Sequence, residues 1–245
     1  MKQALITGAN KGIGLETTKQ LLKNGYFVFI GSRNLENGKI AVQKLNESGF
    51  QNVEAIQLDV TDMESVVNAR QAIERKTGTL DVLINNAGIN GGFPQAALEA
   101  SADAFQKVMD TNLYGVVRVT QTFMDLLKKA VQPRIVNVSS SGCSLTLQSD
   151  PDWKYYSHKA AVYPASKAAM NMYTINLAYE LRETAFKVNA VCPGFVATDF
   201  NEHRGTGTVG EAGLRIAKYA MLGESGVTGK FISEEHNPET GETPW

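Results

Sequence analysis

The chain has 245 residues, of which 43% are hydrophobic and 20% are charged, a composition that excludes a disordered or fibrous protein. This length is sufficient to bury one large apolar core without crosslinks. Its 24 basic and 25 acidic residues leave a net charge of −1, so we expect neither nucleic acid nor a membrane as partner.

Short apolar runs alternate with segments of helical period through the first third of the chain. In chain order, the pattern predicts a strand at 4–6, a helix over 15–24, a strand at 26–30, a helix over 35–47, a strand near 53–58, a helix over 64–76 and a strand at 80–84. This succession is typical of parallel strands that are joined by crossover helices.

The same alternation continues to the end of the chain. It predicts helical segments over 100–129, a strand at 134–138, a helix over 165–182, a strand at 187–191, a helix over 211–222 and a strand at 230–232. Because the strands are apolar almost throughout, we expect an α/β fold of the doubly wound Rossmann type, with one parallel sheet of about seven strands and helices on both faces.

We expect a single dinucleotide-binding and catalytic domain over 1–245, because no linker or repeat divides the chain. Two polar, glycine-containing stretches at 142–162 and 198–210 are predicted to be loops. Loops of this length in a compact domain are often functional, and we expect a substrate loop near 198–222.

Three glycines occupy the turn between the first strand and the first helix, where a doubly wound fold binds pyrophosphate. Gly8 permits a tight turn, Gly12 lets the backbone approach the phosphates, and Gly14 allows close packing of helix and strand. The N–H groups at the start of the helix would face the anion. The predicted cofactor ligands of this turn are Gly8, Asn10, Lys11, Gly12, Ile13 and Gly14.

The end of the second strand favours NADP(H) over NAD(H). NAD-selective sites usually carry Asp or Glu there, whereas this chain has Arg33, whose guanidinium can hold a 2′-phosphate. Lys11 adds a second cation from the glycine turn. Either residue alone is most often a solvated surface charge, but the two together predict NADP(H) as the cofactor.

A phenol and an ammonium, those of Tyr163 and Lys167, lie four residues apart on one face of a predicted helix. A nearby ammonium stabilises a phenolate and lowers the pKa of a tyrosine, which suits Tyr163 to general acid catalysis. The strand at 134–138 ends in a serine cluster at the edge of the sheet where ligands bind. Alternation along the strand favours Ser140 as the serine that points inward.

These motifs identify the chain as a member of the short-chain dehydrogenase/reductase family, and the resemblance covers nearly its whole length. The matching motifs are the glycine turn at 8–14, Leu58-Asp59-Val60, Asn85-Asn86-Ala87-Gly88, Asn112, the serine cluster at 139–141, Tyr163 with Lys167, and Pro193-Gly194. By this resemblance, Tyr163 donates a proton and Lys167 lowers its pKa and binds the nicotinamide ribose. Ser140 polarises the carbonyl and Asn112 completes the tetrad.

The resemblance also implies further cofactor contacts. They are Asp59 and Val60 at the adenine, Asn86 and Gly88 beside the adenosine ribose with Ala87 between them, and Pro193, Gly194, Val196 and Thr198, the last at the nicotinamide carboxamide. Structural alternatives exist for three assignments: Asp59 could cap the next helix, Asn86 could stabilise a turn, and Asn112 could be a capping or helix-interior residue.

The 22 residues between Ser140 and Tyr163 form a longer connection than in most of the family, similar to that of the monomeric carbonyl reductases. We therefore expect NADPH-dependent reduction of a small-molecule ketone or aldehyde to an alcohol, with a broad substrate range. The insertion could wall the pocket or cover the helix face through which relatives dimerise, which leaves monomer and homo-oligomer both open. The aromatic residues of the insertion are Trp153, Tyr155 and Tyr156, and other candidates to line the pocket are Phe93, Cys143, Phe195 and Phe200.

Two other functions fit the sequence less well. A 3-oxoacyl thioester reductase would require a basic patch for its carrier, and a non-catalytic NADP(H) sensor would not require Ser140, Tyr163 and Lys167 together. The three histidines and two cysteines show no ligand or disulfide spacing, so we expect no metal. The first residues enter a strand without a signal-peptide pattern, which predicts a cytoplasmic location.

Overall fold

Seven parallel strands form one sheet in the computed structural model, which describes every residue from Met1 to Trp245. The strands are β1 (Gln3–Thr7), β2 (Phe27–Ser32), β3 (Val53–Gln57), β4 (Val82–Asn85), β5 (Arg134–Val138), β6 (Lys187–Val191) and β7 (Phe231–Ile232). Their spatial order is β3-β2-β1-β4-β5-β6-β7, and each neighbouring pair is parallel. The predicted doubly wound fold is confirmed.

Eight α-helices accompany the sheet. They are α1 (Gly12–Lys23), α2 (Leu35–Glu47), α3 (Met63–Glu74), α4 (Ala102–Met109), α5 (Gly115–Leu127), α6 (Leu145–Ser149), α7 (Val162–Glu180) and α8 (Val209–Ala220). None of these helices combines the length and the apolar character that crossing a bilayer requires.

Strand residues alternate between two apolar cores, one on each face of the sheet. Ala4 and Ile6 of β1 belong to the core that α1, α2 and α8 cover, whereas Leu5 belongs to the core under α3, α5 and α7. All three side chains are fully buried. Burial on both faces explains why the strands are apolar almost throughout.

The helical boundaries differ from the predicted ones at three places. The predicted segment 100–129 is divided into α4 and α5 by a π-helical turn at Asp110–Tyr114. Helix α7 begins at Val162, because the first turn of a helix tolerates the proline at 164. Helix α6 lies in the predicted loop 142–162, and its five residues are too few to show a helical period.

The segment 198–222 contains both loop and helix. A 3-10 turn at Asp199–Asn201 is followed by loop up to α8, whose N-terminus is capped reciprocally by Thr208 and Glu211. Helix α8 packs against α1, so only the part of this segment before Val209 is free to cover the carboxyl ends of the strands.

Candidate active site

A cleft of about 1480 Å³ opens at the carboxyl ends of the strands. The strand order reverses at β1, which lies between β2 and β4, and connections diverge from such a point and leave a crevice between them. Every residue predicted to bind the cofactor or to act in catalysis lines this cleft, with the exception of Asn112.

The glycine turn is packed tightly against the end of β4. A Cβ on Gly8 would lie 2.9 Å from Ala87 Cα, and one on Gly14 would lie 2.6 Å from Asn86 Nδ2. Asn86 Nδ2 in turn donates to Thr7 O at 2.9 Å and to Gly8 O at 3.1 Å. Asn86 therefore has the turn-stabilising role that its sequence context left open, and glycine is required at positions 8 and 14.

The N-terminus of α1 is suited to hold an anion. Its N-cap residue, Lys11, offers no side-chain hydrogen bond to the helix, and no acidic residue occupies the first turn. Gly12 has a φ of +58°, and no atom lies within 4 Å of a Cβ built on it. Unpaired N–H groups at the positive end of the helix dipole, beside this open approach, fit the pyrophosphate of a dinucleotide. Asn10 and Ile13 line the cleft beside them.

Two cations border the cleft near the ends of β1 and β2. Arg33 directly follows β2 and is exposed. Lys11 Nζ lies 2.8 Å from Asp199 Oδ2, and both side chains are more than half exposed. His203 Nε2 lies 3.2 Å from the other oxygen of Asp199. The ion pair thus links the glycine turn to the loop that follows β6.

Asp59 stabilises a turn and does not cap α3. Its Oδ1 accepts from Thr61 N–H at 2.9 Å and from the Thr61 hydroxyl at 2.7 Å, whereas the N-cap of α3 is Asp62, whose carboxylate accepts from Glu64 N–H. The capping alternative for Asp59 is therefore wrong. Val60 follows it in the cleft wall, and its side chain packs on Gly115, where a Cβ would lie 2.8 Å from Val60 Cγ2.

The turn after β6 is fixed by two charged side chains. It lines the cleft with Pro193, Gly194, Val196 and Thr198. Arg215 Nη1 donates to Pro193 O at 2.8 Å, and Phe195 N–H donates to Glu235 Oε2 at 2.9 Å. Between these contacts Gly194 adopts a φ of +97°, which side chains rarely allow.

The serine cluster presents one hydroxyl to the predicted catalytic tyrosine. Ser140 Oγ accepts from Gly142 N–H at 3.2 Å, and the Ser140 side chain lines the cleft together with the Tyr163 phenol, whose pKa it lowers. Ser139 is buried on the other side, where its hydroxyl donates to Asn171 Oδ1 at 2.7 Å. The strand alternation predicts this orientation of the two serines.

Lys167 is buried beneath the cleft and holds its ammonium near Tyr163. Its Nζ donates to Val138 O at 2.7 Å and lies 5.9 Å from the centre of the Tyr163 ring. Burial lowers the pKa of Lys167 to about 8. Gly88 leaves space beside the ammonium, because a Cβ there would lie 3.6 Å from Nζ.

Tyr163 is protonated at neutral pH in the protein alone. Burial raises the pKa of its phenol, negative charge on the nearby Cys143 and Cys192 sulfurs would act in the same direction, and the Ser140 side chain opposes them. Burial is the dominant influence on the phenol, and the lowering of this pKa by Lys167 that the family resemblance implies stays a prediction. A neutral phenol is the form that can donate a proton.

Asn112 lies in the π-helical turn and is fully buried. Its amide donates to Ile89 O at 2.9 Å and to Ser166 Oγ at 3.0 Å, and it accepts from Ile89 N–H at 2.9 Å. These contacts hold the segment after β4 in place. The helix-interior alternative accounts for them, and a catalytic contribution of Asn112 stays a prediction.

Aromatic side chains line the end of the cleft beyond Tyr163. The Phe200 ring meets Tyr163 edge-on at 5.2 Å between centroids. Tyr155 contacts Trp153 at 5.5 Å and Phe195 at 5.7 Å in the same manner. This end of the cleft is therefore a largely apolar surface next to the reactive hydroxyl groups, and the insertion contributes to its wall.

Two of the predicted pocket residues, Tyr156 and Cys143, lie outside this wall. Tyr156 is exposed, whereas Cys143 is 3% exposed and its Sγ accepts from Asn171 Nδ2 at 3.2 Å. Cys143 is the residue buried behind the wall. It packs in a small core with Cys192 and Phe231. Of the two thiols, it is Cys192 that reaches the cleft surface.

Two polar residues of the site, one buried and one half-buried, were not predicted from the sequence. Gln95 accepts from Tyr163 N–H at 3.2 Å and donates to Asn90 O at 2.7 Å, so it holds the start of α7 against the segment after β4. Glu235 holds the turn after β6, as described above. Both contacts join residues at least 40 positions apart, and neither residue belongs to a local motif.

The fold and this cleft define the class of dinucleotide-binding α/β oxidoreductases. The model of the short chain dehydrogenase family matches residues 2–208. The chain belongs to this family, whose members include reductases that act on carbonyl and CH–OH groups.

Individual relatives span almost the whole chain. A short-chain dehydrogenase, anuI, from Penicillium roqueforti is 34% identical over 239 residues, which cover 95% of this chain and 94% of the relative. Salutaridine reductase from Papaver bracteatum is 31% identical, with 94% of each chain covered. The NADPH-bound carbonyl reductase from chicken fatty liver is 28% identical and superposes with a TM-score of 0.84, covering 100% of this chain and 99% of that structure.

Proposed function

We propose that the protein reduces a ketone or aldehyde to an alcohol with NADPH. The observation that carries this proposal is the convergence of Ser140, Tyr163 and Lys167 in one cleft with the uncapped N-terminus of α1. A nicotinamide cofactor supplies a hydride to the carbonyl carbon when it is bound. The chain itself must then orient the carbonyl and provide the proton.

Ser140 and Tyr163 would both donate hydrogen bonds to the carbonyl oxygen. Both side chains line the same cleft, and the Ser140 side chain influences the pKa of the Tyr163 phenol, so we place the carbonyl oxygen between the two hydroxyls. Negative charge develops on this oxygen during reduction, and the Tyr163 phenol, protonated at neutral pH, transfers its proton there.

Lys167 would bind the ribose next to the nicotinamide and stabilise the phenolate that Tyr163 becomes. Its ammonium makes one hydrogen bond to the backbone, to Val138 O, which leaves further protons for ribose hydroxyls and a water. Because the ammonium lies 5.9 Å from the ring centre, its charge would lower the free-energy cost of leaving Tyr163 as a phenolate after the proton has been transferred.

The preference for NADPH would come from Arg33 and Lys11. Arg33 occupies the position at the end of β2 where NAD-selective relatives of this fold carry an acidic residue. Both cations line the cleft near the glycine turn, and a guanidinium can contact a phosphate with two parallel hydrogen bonds.

A broad range of apolar carbonyl compounds is the substrate class that we propose. It is supported by the aromatic end of the cleft and by relatives named salutaridine reductase, (-)-isopiperitenone reductase and carbonyl reductase. The substrate loop in this proposal is the part of 198–208 whose Phe200 ring meets Tyr163 and whose Arg204 lies 5.2 Å above the Phe93 ring.

A panel of ketones, aldehydes and acyl thioesters tests the proposal, with loss of NADPH absorbance as the measurement and NADH run in parallel. We expect turnover of aryl ketones and aldehydes with a preference for NADPH. Turnover of acyl thioesters alone would assign a thioester reductase, and NADPH binding without any turnover would indicate a sensor.

A further inference from the structure

Glu235 is a half-buried carboxylate at which three distant segments of the chain meet. It follows β7, and 18% of its side chain is exposed. Its Oε1 accepts from Tyr155 Oη at 2.7 Å and from Lys154 Nζ at 3.0 Å, and its Oε2 accepts from Phe195 N–H at 2.9 Å. The C-terminal segment, the insertion and the turn after β6 are therefore joined through one side chain.

One of these contacts acts on the cofactor side of the cleft. Phe195 N–H follows Gly194, and a Cβ on Gly194 would lie 2.6 Å from Arg215 Nη1 and 3.2 Å from Glu235 Oε2. The turn is thus enclosed between a cation that binds its carbonyl and a carboxylate that binds its N–H. This arrangement fixes how far the turn after β6 reaches into the cleft.

The second contact acts on the substrate side. Tyr155 lines the cleft, and its ring meets Trp153, Phe195 and His158 edge-on at 5.5, 5.7 and 5.8 Å. Its hydroxyl makes its hydrogen bond to Glu235, which sets the direction of the ring. Without this acceptor the phenol would be free to turn toward solvent.

Glu235 and Tyr155 have the protonation states that their hydrogen bond requires. Burial would raise the pKa of Glu235, but hydrogen bonds from Tyr155, Lys154 and Phe195 N–H outweigh it, so the pKa lies below its ordinary value. Burial raises the pKa of Tyr155. At neutral pH an ionised carboxylate therefore accepts from a neutral phenol, a strong type of hydrogen bond.

We propose that Glu235 is a positioning residue that sets the width of the substrate pocket by locking Tyr155 and the turn at Phe195 relative to each other. This inference rests on the proposed carbonyl reduction. Glu235 does not touch the reacting atoms in this scheme. It selects between substrates by the placement of the aromatic wall, so a bulky aryl ketone depends on it and a small aldehyde does not.

Three variants separate this role from a general loss of structure. Glu235→Leu removes every contact. Glu235→Gln keeps two of them, because its carbonyl can accept from Phe195 N–H while its NH₂ donates to the Tyr155 oxygen. Tyr155→Phe removes only the contact to the wall.

Glu234→Leu is the matched control for these variants. The neighbouring Glu234 also binds a lysine and a tyrosine, Lys218 at 2.6 Å and Tyr219 at 3.2 Å, but it lies outside the cleft.

The readout is the ratio of kcat/KM for 2-acetylnaphthalene to kcat/KM for propionaldehyde. We expect Glu235→Leu and Tyr155→Phe to lower this ratio about tenfold, mainly through the KM of the ketone, since small displacements of a pocket wall have effects of this size or larger. Glu235→Gln should restore most of the ratio, and Glu234→Leu should leave it unchanged. A ratio that stays the same in Glu235→Leu, or that falls equally in Glu234→Leu, overturns the inference.

A binding measurement makes the test independent of turnover. In a Trp245→Phe background, quenching of Trp153 fluorescence gives the dissociation constant of the same ketone. Weaker binding to Glu235→Leu than to Glu234→Leu supports the inference even if the wild type reduces no carbonyl compound, which would refute the proposed function alone. Equal binding to both variants, or no binding to the wild type, overturns the inference.

Discussion

The two ends of the cleft are built in different ways. The end for which we propose cofactor binding, the cofactor end, consists largely of backbone groups and small residues at the ends of β1, β2 and β4, with the glycine turn held by Asn86. The substrate end consists of aromatic side chains from three loops, held by contacts such as those of Glu235. The proposed cofactor, which many members of the family share, would thus be bound by fixed main-chain groups. The proposed substrate, which varies between enzymes, would contact side chains that can change without disturbing the sheet.

The largest expected effect belongs to the residue where the two ends meet. Tyr163→Phe should lower kcat about a thousandfold, since general acid catalysis contributes effects of this order. NADPH affinity should stay within a few-fold of the wild type, because the ring still contacts Phe200. Single-turnover kinetics and NADPH fluorescence titration measure the two quantities, and near-normal turnover would remove Tyr163 from the mechanism.

Lys167→Met should lower kcat about a hundredfold and yet stabilise the fold. Burial holds the pKa of Lys167 at about 8 against an ordinary 10.5, so between these values the unfolded chain binds the extra proton. The buried lysine therefore lowers the free energy of unfolding most below pH 8, and this destabilisation disappears above pH 10.5.

Urea denaturation of wild type and Lys167→Met at several pH values checks this sign. At pH 7 the variant should be more stable by on the order of 2 kcal/mol, and the difference should shrink as the pH rises from 8 toward 10.5. A variant that is less stable than the wild type at pH 7 would contradict the assigned cost of burying this ammonium.

A substitution in the glycine turn should affect all substrates alike. A Cβ at Gly14 would lie 2.6 Å from Asn86 Nδ2 and 2.9 Å from Ala9 Cα, so Gly14→Ala should lower the free energy of unfolding by about 1–3 kcal/mol and weaken NADPH binding. Gly78→Ala is the control, since nothing lies within 4 Å of its Cβ. Thermal unfolding with and without NADPH measures both effects, and equal behaviour of the two variants would show that the turn is not tightly packed.

Arg33→Ala should weaken only the binding of the 2′-phosphate that distinguishes NADPH from NADH. Loss of a charge-assisted hydrogen bond to a phosphate weakens binding about tenfold, so the Kd of NADPH should rise while that of NADH changes little. Lys39→Ala on the neighbouring helix controls for the loss of one exposed charge. An equal change for both cofactors would exclude Arg33 from phosphate recognition.

The smallest effect is expected at the substrate end. Phe200→Ala removes an exposed ring that contacts Tyr163, so it should raise the KM of aryl ketones a few-fold, about 1 kcal/mol of lost apolar contact, and leave the Kd of NADPH unchanged. Steady-state kinetics with ketones of increasing size measure it. A larger change in the Kd of NADPH than in the KM of the ketone would contradict the assignment of Phe200 to the substrate end.

The glycine turn could be predicted from the sequence for a physical reason, although its binding of a cofactor stays a prediction. Gly8 packs on Ala87, and Gly14 packs on Asn86 and Ala9, so two close contacts require glycines that stand six residues apart and are visible as a local motif. The strands of the sheet could also be predicted from the sequence, because burial on both faces leaves continuous apolar runs.

The substrate end was harder to predict from the sequence because its geometry depends on contacts between residues that are far apart in the chain. Helix α6 was missed, Cys143 was placed in the pocket although it is buried behind Ser139, and Gln95 and Glu235 were not identified. The burial that raises the pKa of Tyr163 could not be predicted for the same reason, since its surroundings are assembled from several loops. The roles assigned to individual residues stay predictions until the variants above are measured.

The ion pair between Lys11 and Asp199 is weak enough for its ammonium to be given to another acceptor. Both side chains are more than half exposed, and a pair of this kind contributes about 0–1 kcal/mol and weakens with salt. If Lys11 binds a 2′-phosphate as proposed, the cost of breaking the pair is small, and Asp199 keeps its contact with His203. A cofactor without that phosphate would leave the pair intact, so the proposed choice between NADPH and NADH would also decide which anion Lys11 neutralises.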